Sequence, residues 1–214
     1  YAKEIGGIAI DYEKFDLQAA RENAFTMPDK EAAAKVEAYA TQKIQEGDSI
    51  GGIIECVVEG MMPGIGEPVF DKLDASLGKA MLSIGAVKGF EIGSGFEAAK
   101  MTGSENNDSF AMKDGKLTKK TNHAGGVLGG MSDGSNIVFR AAVKPTPSIS
   151  AVQDTVNKDG ENIEISIKGR HDPMIVPRAV VVVEAMTALT LVDLIFENMT
   201  ARLDGICAFY NRSK

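Results

Sequence analysis

Ala179-Val180-Val181-Val182-Val183-Glu184-Ala185-Met186-Thr187-Ala188-Leu189-Thr190-Leu191-Val192-Asp193-Leu194-Ile195-Phe196 is the most apolar stretch of the chain, and its reading decides the fold class. It has the length of a membrane span, but Glu184 and Asp193 interrupt it, and charges at that depth in lipid are costly. It therefore reads as a long core helix. Pro177 fits its first turn, where a missing N–H breaks no helical bond, so the helix starts at about Val176. Its Ala, Val, Leu and Met content predicts burial on several sides.

Upstream of this helix the pattern changes to short alternating segments. Glu161 to Lys168, with Ile163, Ile165 and Ile167 set against Glu164 and Ser166, reads as a strand, as does Ser135 to Lys144. The stretch Glu97 to Asn122 is polar and turn-rich and reads as an exposed hairpin. Val87 to Phe96 is a further strand. Before it, Phe70, Leu73, Leu77, Ala80, Met81 and Ile84 fall on one helical stripe that Gly85 closes. Gly60 to Pro68 is a loop, and Ser49 to Glu59 is a β-branched strand. Nearer the front, Ala32, Val36, Tyr39, Ala40 and Ile44 mark a helix capped by Thr26 and ended by Gly47, with Asp29 on its solvated face. Ile5 to Tyr12 reads as one strand. The pieces around Gly6-Gly7 and Gly51-Gly52 look alike and hint at a duplication. Strands and helices are mixed without steady βαβ alternation, which predicts a layered α+β sheet structure, in one domain over 1–214, rather than a doubly wound one.

The chain has 214 residues, 44% apolar and 25% charged, which excludes collagen and disordered tails. Thirty acidic residues against 23 basic ones give a net charge of −7, a poor basis for binding nucleic acid, since phosphate backbones need clustered cations. A small anionic ligand feels only the local field and stays open. Cys56 and Cys207 form no disulfide framework and read as reduced, buried thiols. No signal peptide leads the chain, and the absence of a starting Met points to a missing upstream part.

Three stretches carry more Gly, Pro and charge than folding requires. Asn122-His123-Ala124-Gly125-Gly126, followed by Gly129-Gly130, lets backbone approach a ring or phosphate closely, although on spacing alone a tight-turn hairpin is the better reading. Lys144-Pro145-Thr146-Pro147-Ser148 is a stiff row of donors at a strand end, suited to a polyanion or a flavin edge, or simply a proline-terminated strand. Lys168-Gly169-Arg170-His171-Asp172-Pro173 sets cations, an imidazole and a carboxylate beside a helix N-terminus, which favours anions. Two histidines, His123 and His171, make no metal site.

With Gly47-Asp48-Ser49-Ile50-Gly51-Gly52, Pro63-Gly64-Ile65-Gly66-Glu67-Pro68-Val69-Phe70-Asp71 and Ala86-Val87-Lys88-Gly89-Phe90-Glu91-Ile92-Gly93, these stretches stand in the order found in chorismate synthase, and the chain resembles that family over nearly its whole length. The resemblance implies a β-α-β sandwich with antiparallel sheets and a long buried C-terminal helix, here incomplete. It implies a lyase that converts 5-enolpyruvylshikimate 3-phosphate to chorismate and phosphate by 1,4-anti elimination, using reduced FMN that is not consumed, in aromatic amino acid biosynthesis. It also implies an association with NADP in the family, a cytoplasmic location, a homotetramer when full length, and no nucleic-acid or membrane partner. Asp172 corresponds to the carboxylate that handles the proton. Gly85, Ala86, Gly129, Lys144, Pro145, Thr146, Pro147, Ser148 and Arg170 correspond to positions lining FMN. Many members have Asn at the place of Gly85, so a contact there falls to backbone. The family's N-terminal part, with two catalytic histidines, is absent, so these 214 residues are expected to be the C-terminal portion of a longer chain and inactive alone. The alternative is a non-catalytic flavin-binding or oligomerisation module.

Overall fold

The computed structural model describes residues 1–113, 115–169 and 172–211. Its elements are, in order, β1 (Ala2–Ile5), β2 (Ile8–Ala9), α1 (Leu17–Glu22), α2 (Lys30–Gln45), β3 (Gly52–Val58), α3 (Leu73–Ser83), β4 (Val87–Ile92), α4 (Gly103–Asn106), β5 (Phe110–Lys113), β6 (Lys116–Lys119), β7 (Val127–Leu128), β8 (Met131–Ser132), β9 (Ile137–Val143), β10 (Gln153–Val156), β11 (Asn162–Ile165), α5 (Val176–Met199) and α6 (Leu203–Asn211). Where the sequence reading expects one domain, the backbone groups into two compact units. The first holds Tyr1–Glu55, Gly85–Gly89 and Ala141–Val182; the second holds Cys56–Ile84, Phe90–Arg140 and Val183–Lys214.

In the first unit β1 and β2 form an antiparallel hairpin, not the single strand expected from Ile5 to Tyr12. The Gly6-Gly7 pair causes the difference, because both residues have positive φ (59° and 82°), as a two-residue hairpin turn demands. The strand order is β2-β1-β3-β9-β4, with β1 antiparallel to β3. Gly51-Gly52 opens β3 and plays a different part from its look-alike. Neither residue has positive φ, and each is pressed against a neighbouring strand. A Cβ at Gly52 would overlap the Glu4 carbonyl oxygen, and one at Gly51 the Val143 carbonyl oxygen.

Helix α2 starts later than expected. Its cap is Asp29 and not Thr26, whose φ of 54° belongs to a preceding turn. Asp29 is buried and accepts from the amides of Glu31 (2.9 Å), Ala32 (3.1 Å) and Asp11 (3.0 Å). Burial pushes its carboxyl up, but these backbone donors outweigh burial and hold it below the ordinary value. A capping carboxylate ties down orphan amides, so it belongs inside the structure and not on the wet face. On β3, the buried Glu55 carboxylate gathers the hydroxyls of Tyr1 and Tyr12 and the Lys3 ammonium. Strands β10 and β11 pair antiparallel, and all four residues of β11 are exposed.

In the second unit Leu73, Leu77 and Met81 form the buried stripe of α3, whereas Phe70 lies outside the helix and is 85% exposed. Phe90 packs on Phe139 with ring centroids 5.4 Å apart. β5 and β6 form an exposed hairpin in the later part of the Glu97 to Asn122 stretch, whose front is instead a 3-10 turn (Gly95–Lys100) and α4, and β7 and β8 form a second hairpin that turns at Gly129-Gly130. Helix α5 begins where expected. Its expected burial on several sides is corrected by the structure: only 28% of its apolar window is buried among these residues. Val183, Thr187, Leu191 and Leu194 make one buried face, while Leu189, Val192, Phe196 and Met199 make an exposed apolar one. Composition shows that a helix is apolar all round, but not how many neighbours it has. By length and composition alone this helix could cross a membrane. Helices mixed with antiparallel strand pairs make the fold α+β.

Candidate functional site

The first unit brings together most of the residues singled out by sequence, and segment 47–51 is what gathers them. This segment runs alongside residues 143–151 in the opposite direction. Gly51 lies against Val143 and Pro145, Ser49 against Thr146, and Gly47 against Ser150 and Ala151. The Gly47 carbonyl accepts from the amides of Ser150 (3.0 Å) and Ala151 (3.1 Å). Pro145 and Pro147 have no N–H to offer a ladder. Midway, the Ser49 hydroxyl supplies a bond instead, donating to the Thr146 carbonyl at 2.6 Å. One residue on, the Ile50 amide donates to the Pro173 carbonyl at 2.9 Å, and Ile50 bridges Met174 in parallel fashion. Adjacent residues thus hold the proline-locked row and the loop that carries Asp172.

The Lys144 amide donates to the Ala86 carbonyl at 2.9 Å, so the Gly85-Ala86 turn joins the same group. Ala86 has φ of 71°. A left-handed conformation costs a residue with a Cβ roughly 1–2 kcal/mol and persists only where neighbours impose it. Gly85 is exposed, and a Cβ there would meet nothing within 4 Å.

Two polar atoms in this region are buried without a hydrogen-bond partner among the described residues: Thr146 Oγ1 and Asp172 Oδ2. The other Asp172 oxygen accepts from the Met174 amide at 3.3 Å. Arg178 Nη1, from the first turn of α5, stands 2.9 Å from Oδ2 without the alignment of a hydrogen bond. The Arg178 side chain is 79% exposed, so the ion pair is weak. A native fold rarely leaves a buried polar atom without a hydrogen bond, so each such atom calls for an explanation, and Asp74 Oδ1 and Asn106 Oδ1 in the second unit share this condition. One donor-acceptor hydroxyl and one proton-accepting oxygen, beside backbone stiffened by two prolines, fit a ring with polar edges such as a flavin. Arg170 and His171 lie outside the described residues.

Gly129 belongs to the second unit, in the β7–β8 turn with φ of 61° and open space where a Cβ would stand. His123, also in that unit, contacts Ser94 Oγ through Nδ1 at 2.8 Å. Its loop is held by Asp108, which accepts from Thr121 Oγ1 (2.6 Å) and the amides of His123 (2.7 Å) and Ala124 (2.9 Å). A cleft of about 560 Å³ opens beside the β5–β6 hairpin, lined among others by Lys119, Lys120, Asn122, Asp133 and Ser135. The Lys119–Asp133 ion pair largely neutralises its wall. Asn122, from one of the stretches singled out by sequence, lines it, but none of the residues assigned to catalysis or to FMN does.

Sequence reasoning missed Ser49 as part of the candidate site. It sits inside a quoted motif, but its partner is 97 residues away and no local pattern reveals it.

A sequence profile described as "Chorismate synthase" matches residues 1–196. A chorismate synthase of Lachnospira eligens is 74% identical over 212 residues, covering 99% of this chain and 58% of the relative. One from Lachnoclostridium phytofermentans is 62% identical over 213 residues, with the same shares. One from Methanosarcina mazei is 56% identical over 193 residues, or 89% of this chain and 53% of the relative. Among solved structures, one described as "Crystal Structure of Chorismate Synthase" superposes with a TM-score of 0.75 at 29% identity, covering 94% of this chain and 57% of that one. The chain thus spans little more than half the length of the relatives it matches.

Proposed function

The chain belongs to the chorismate synthase family, and from that premise we propose that its first unit contributes the flavin-facing side of a lyase active site. These residues form the C-terminal portion of an enzyme that eliminates phosphate from 5-enolpyruvylshikimate 3-phosphate to give chorismate. Reduced FMN, when bound, lends electron density that assists departure of the phosphate. Thr146 and Ser148, with the backbone of Gly85-Ala86, hold the cofactor, and the two prolines keep their row from rearranging. Lys144 and Arg170 supply positive charge to an otherwise acidic chain. Asp172 Oδ2 takes the proton that leaves the substrate ring, since it is buried and spends no lone pair on a hydrogen bond among the described residues. The observation that carries this reading is the pair of unsatisfied buried atoms, Thr146 Oγ1 and Asp172 Oδ2, tethered to the adjacent residues Ser49 and Ile50.

The test replaces Asp172 by Asn in the full-length protein and follows chorismate absorbance anaerobically with chemically reduced FMN. Loss of a positioned proton acceptor typically lowers turnover about 10²–10⁴-fold, while FMN affinity should stay nearly constant. Equal losses in both would make Asp172 structural.

A second reading concerns the 214 residues taken alone. The exposed apolar face of α5, together with Leu203, Phe209 and Tyr210 on α6, favours an associating module without turnover. The homotetramer and cytoplasmic location implied by the family agree with a soluble assembly that covers this face. Turnover by the isolated 214 residues at the rate of the intact enzyme would exclude this second reading.

A further inference from the structure

The side chain of Ser49 is polar, half-buried and spent on a single bond, from Oγ to the Thr146 carbonyl. Its own amide is already used locally, donating to Asp48 Oδ1 at 2.8 Å. The bond falls at the one place along the 47–51 and 143–151 pairing where the flanking prolines remove backbone donors. At either end of that pairing, contact is kept by other means: amides reach Gly47 at one end, and the Gly51 backbone packs tightly on Val143 at the other. Among the described residues the Ser49 hydroxyl is the donor that the Thr146 carbonyl has, and the prolines on either side add no N–H to the pairing. Thr146 is also the residue whose buried hydroxyl lacks a partner among the described residues.

We infer that Ser49 is a positioning residue: its hydroxyl fixes the Thr146 peptide so that Thr146 Oγ1 is presented to the flavin in a set relation to Asp172, which the neighbouring Ile50 amide anchors through Pro173. This inference rests on the flavin reading given above. Ser49 touches no ligand itself and acts only through Thr146. Its loss leaves the chain folded, because the tight packing at Gly51 and the two amide bonds at Gly47 remain.

The test is a double-mutant cycle on reduced-FMN affinity in the full-length protein, measured anaerobically with 5-enolpyruvylshikimate 3-phosphate present. Ser49→Ala removes the strut, Thr146→Val removes the presented hydroxyl at nearly constant shape, and Ser49→Thr keeps a hydroxyl as a rescue. One hydrogen bond of ordinary net strength corresponds to roughly a fivefold change in Kd. The expected results are about fivefold weaker binding for Ser49→Ala, affinity near the parent's for Ser49→Thr, and a double variant no weaker than Thr146→Val alone. Additive losses would overturn the inference and make Ser49 a structural residue, as would unchanged affinity in Ser49→Ala. The parent protein is the control for the underlying reading: if it fails to bind reduced FMN, the flavin assignment falls and takes the inference with it. If it binds and the cycle is additive, only the inference falls.

Discussion

Gly51→Ala tests the seam that holds the site together. A Cβ at this position would overlap the Val143 carbonyl oxygen and come within 3.0 Å of Pro145 N and Cδ. None of these is the free end of a flexible side chain. Val143 ends β9, and Pro145 is locked by its ring, so relief requires the two backbones to part by about 1 Å. Overpacking of this kind typically costs about 1–3 kcal/mol. For a chain of this size each kcal/mol lowers Tm by roughly 2–4 °C, so the expected fall is roughly 2–12 °C. The same parting stretches the Ser49–Thr146 bond two residues away, so FMN affinity should fall as well. For the melt alone, Gly85→Ala is the matched control: a Cβ there meets no protein atom within 4 Å, and that residue has no positive φ. Thermal denaturation followed by circular dichroism, with a flavin titration on the same samples, reads both effects. A Gly51→Ala melt within 1 °C of the parent's, or no wider a shift than that of Gly85→Ala, would refute the close approach.

Two further expectations follow from buried groups in the second unit. Burial pushes the Asp108 carboxyl up, but the Thr121 hydroxyl and the amides of Ala124 and His123 outweigh it and hold the group below its ordinary value of 3.8. A carboxyl lowered in the folded state stabilises the fold above that value and stops doing so as pH falls through the folded pKa. Asp108→Asn should therefore cost roughly 1–2 kcal/mol in urea denaturation at neutral pH, and the gap should close in acid; a gap that widens in acid contradicts the assignment. Burial also pushes the Cys56 thiol up, beside Thr187 Oγ1 at 3.7 Å, whereas Cys207 is exposed. A thiol reagent at neutral pH should label Cys207 rapidly and Cys56 slowly, and equal rates would show that the α5 contact opens freely.

Much of the fold could be read because its main signals are local. Leu73, Leu77 and Met81 declare α3 by spacing, and Pro177 marks the start of α5. What the sequence hid was set by partners. Thr26 and Asp29 are both good caps on paper, and only the buried amides of Asp11, Glu31 and Ala32 choose between them. The two Gly-Gly pairs have the same letters, but one turns a hairpin while the other lets β3 enter between its neighbours. Strand β10 passed unnoticed because Gln153–Val156 has no apolar alternation and a partner exposed on both faces. At the candidate site, prolines and clustered charge single out Lys144 to Ser148 and Asp172 in the sequence. Ser49 announced nothing, since its role lies in one bond to a distant carbonyl.

The central claim is that Thr146 and Asp172 serve one site. A crystal structure of the full-length protein with FMN and 5-enolpyruvylshikimate 3-phosphate bound measures this most directly. The account predicts that Thr146 Oγ1 and Asp172 Oδ2 both lie within hydrogen-bond reach of the bound molecules, with the Ser49–Thr146 bond kept. A flavin seated elsewhere, with these two atoms satisfied by protein groups, would contradict it.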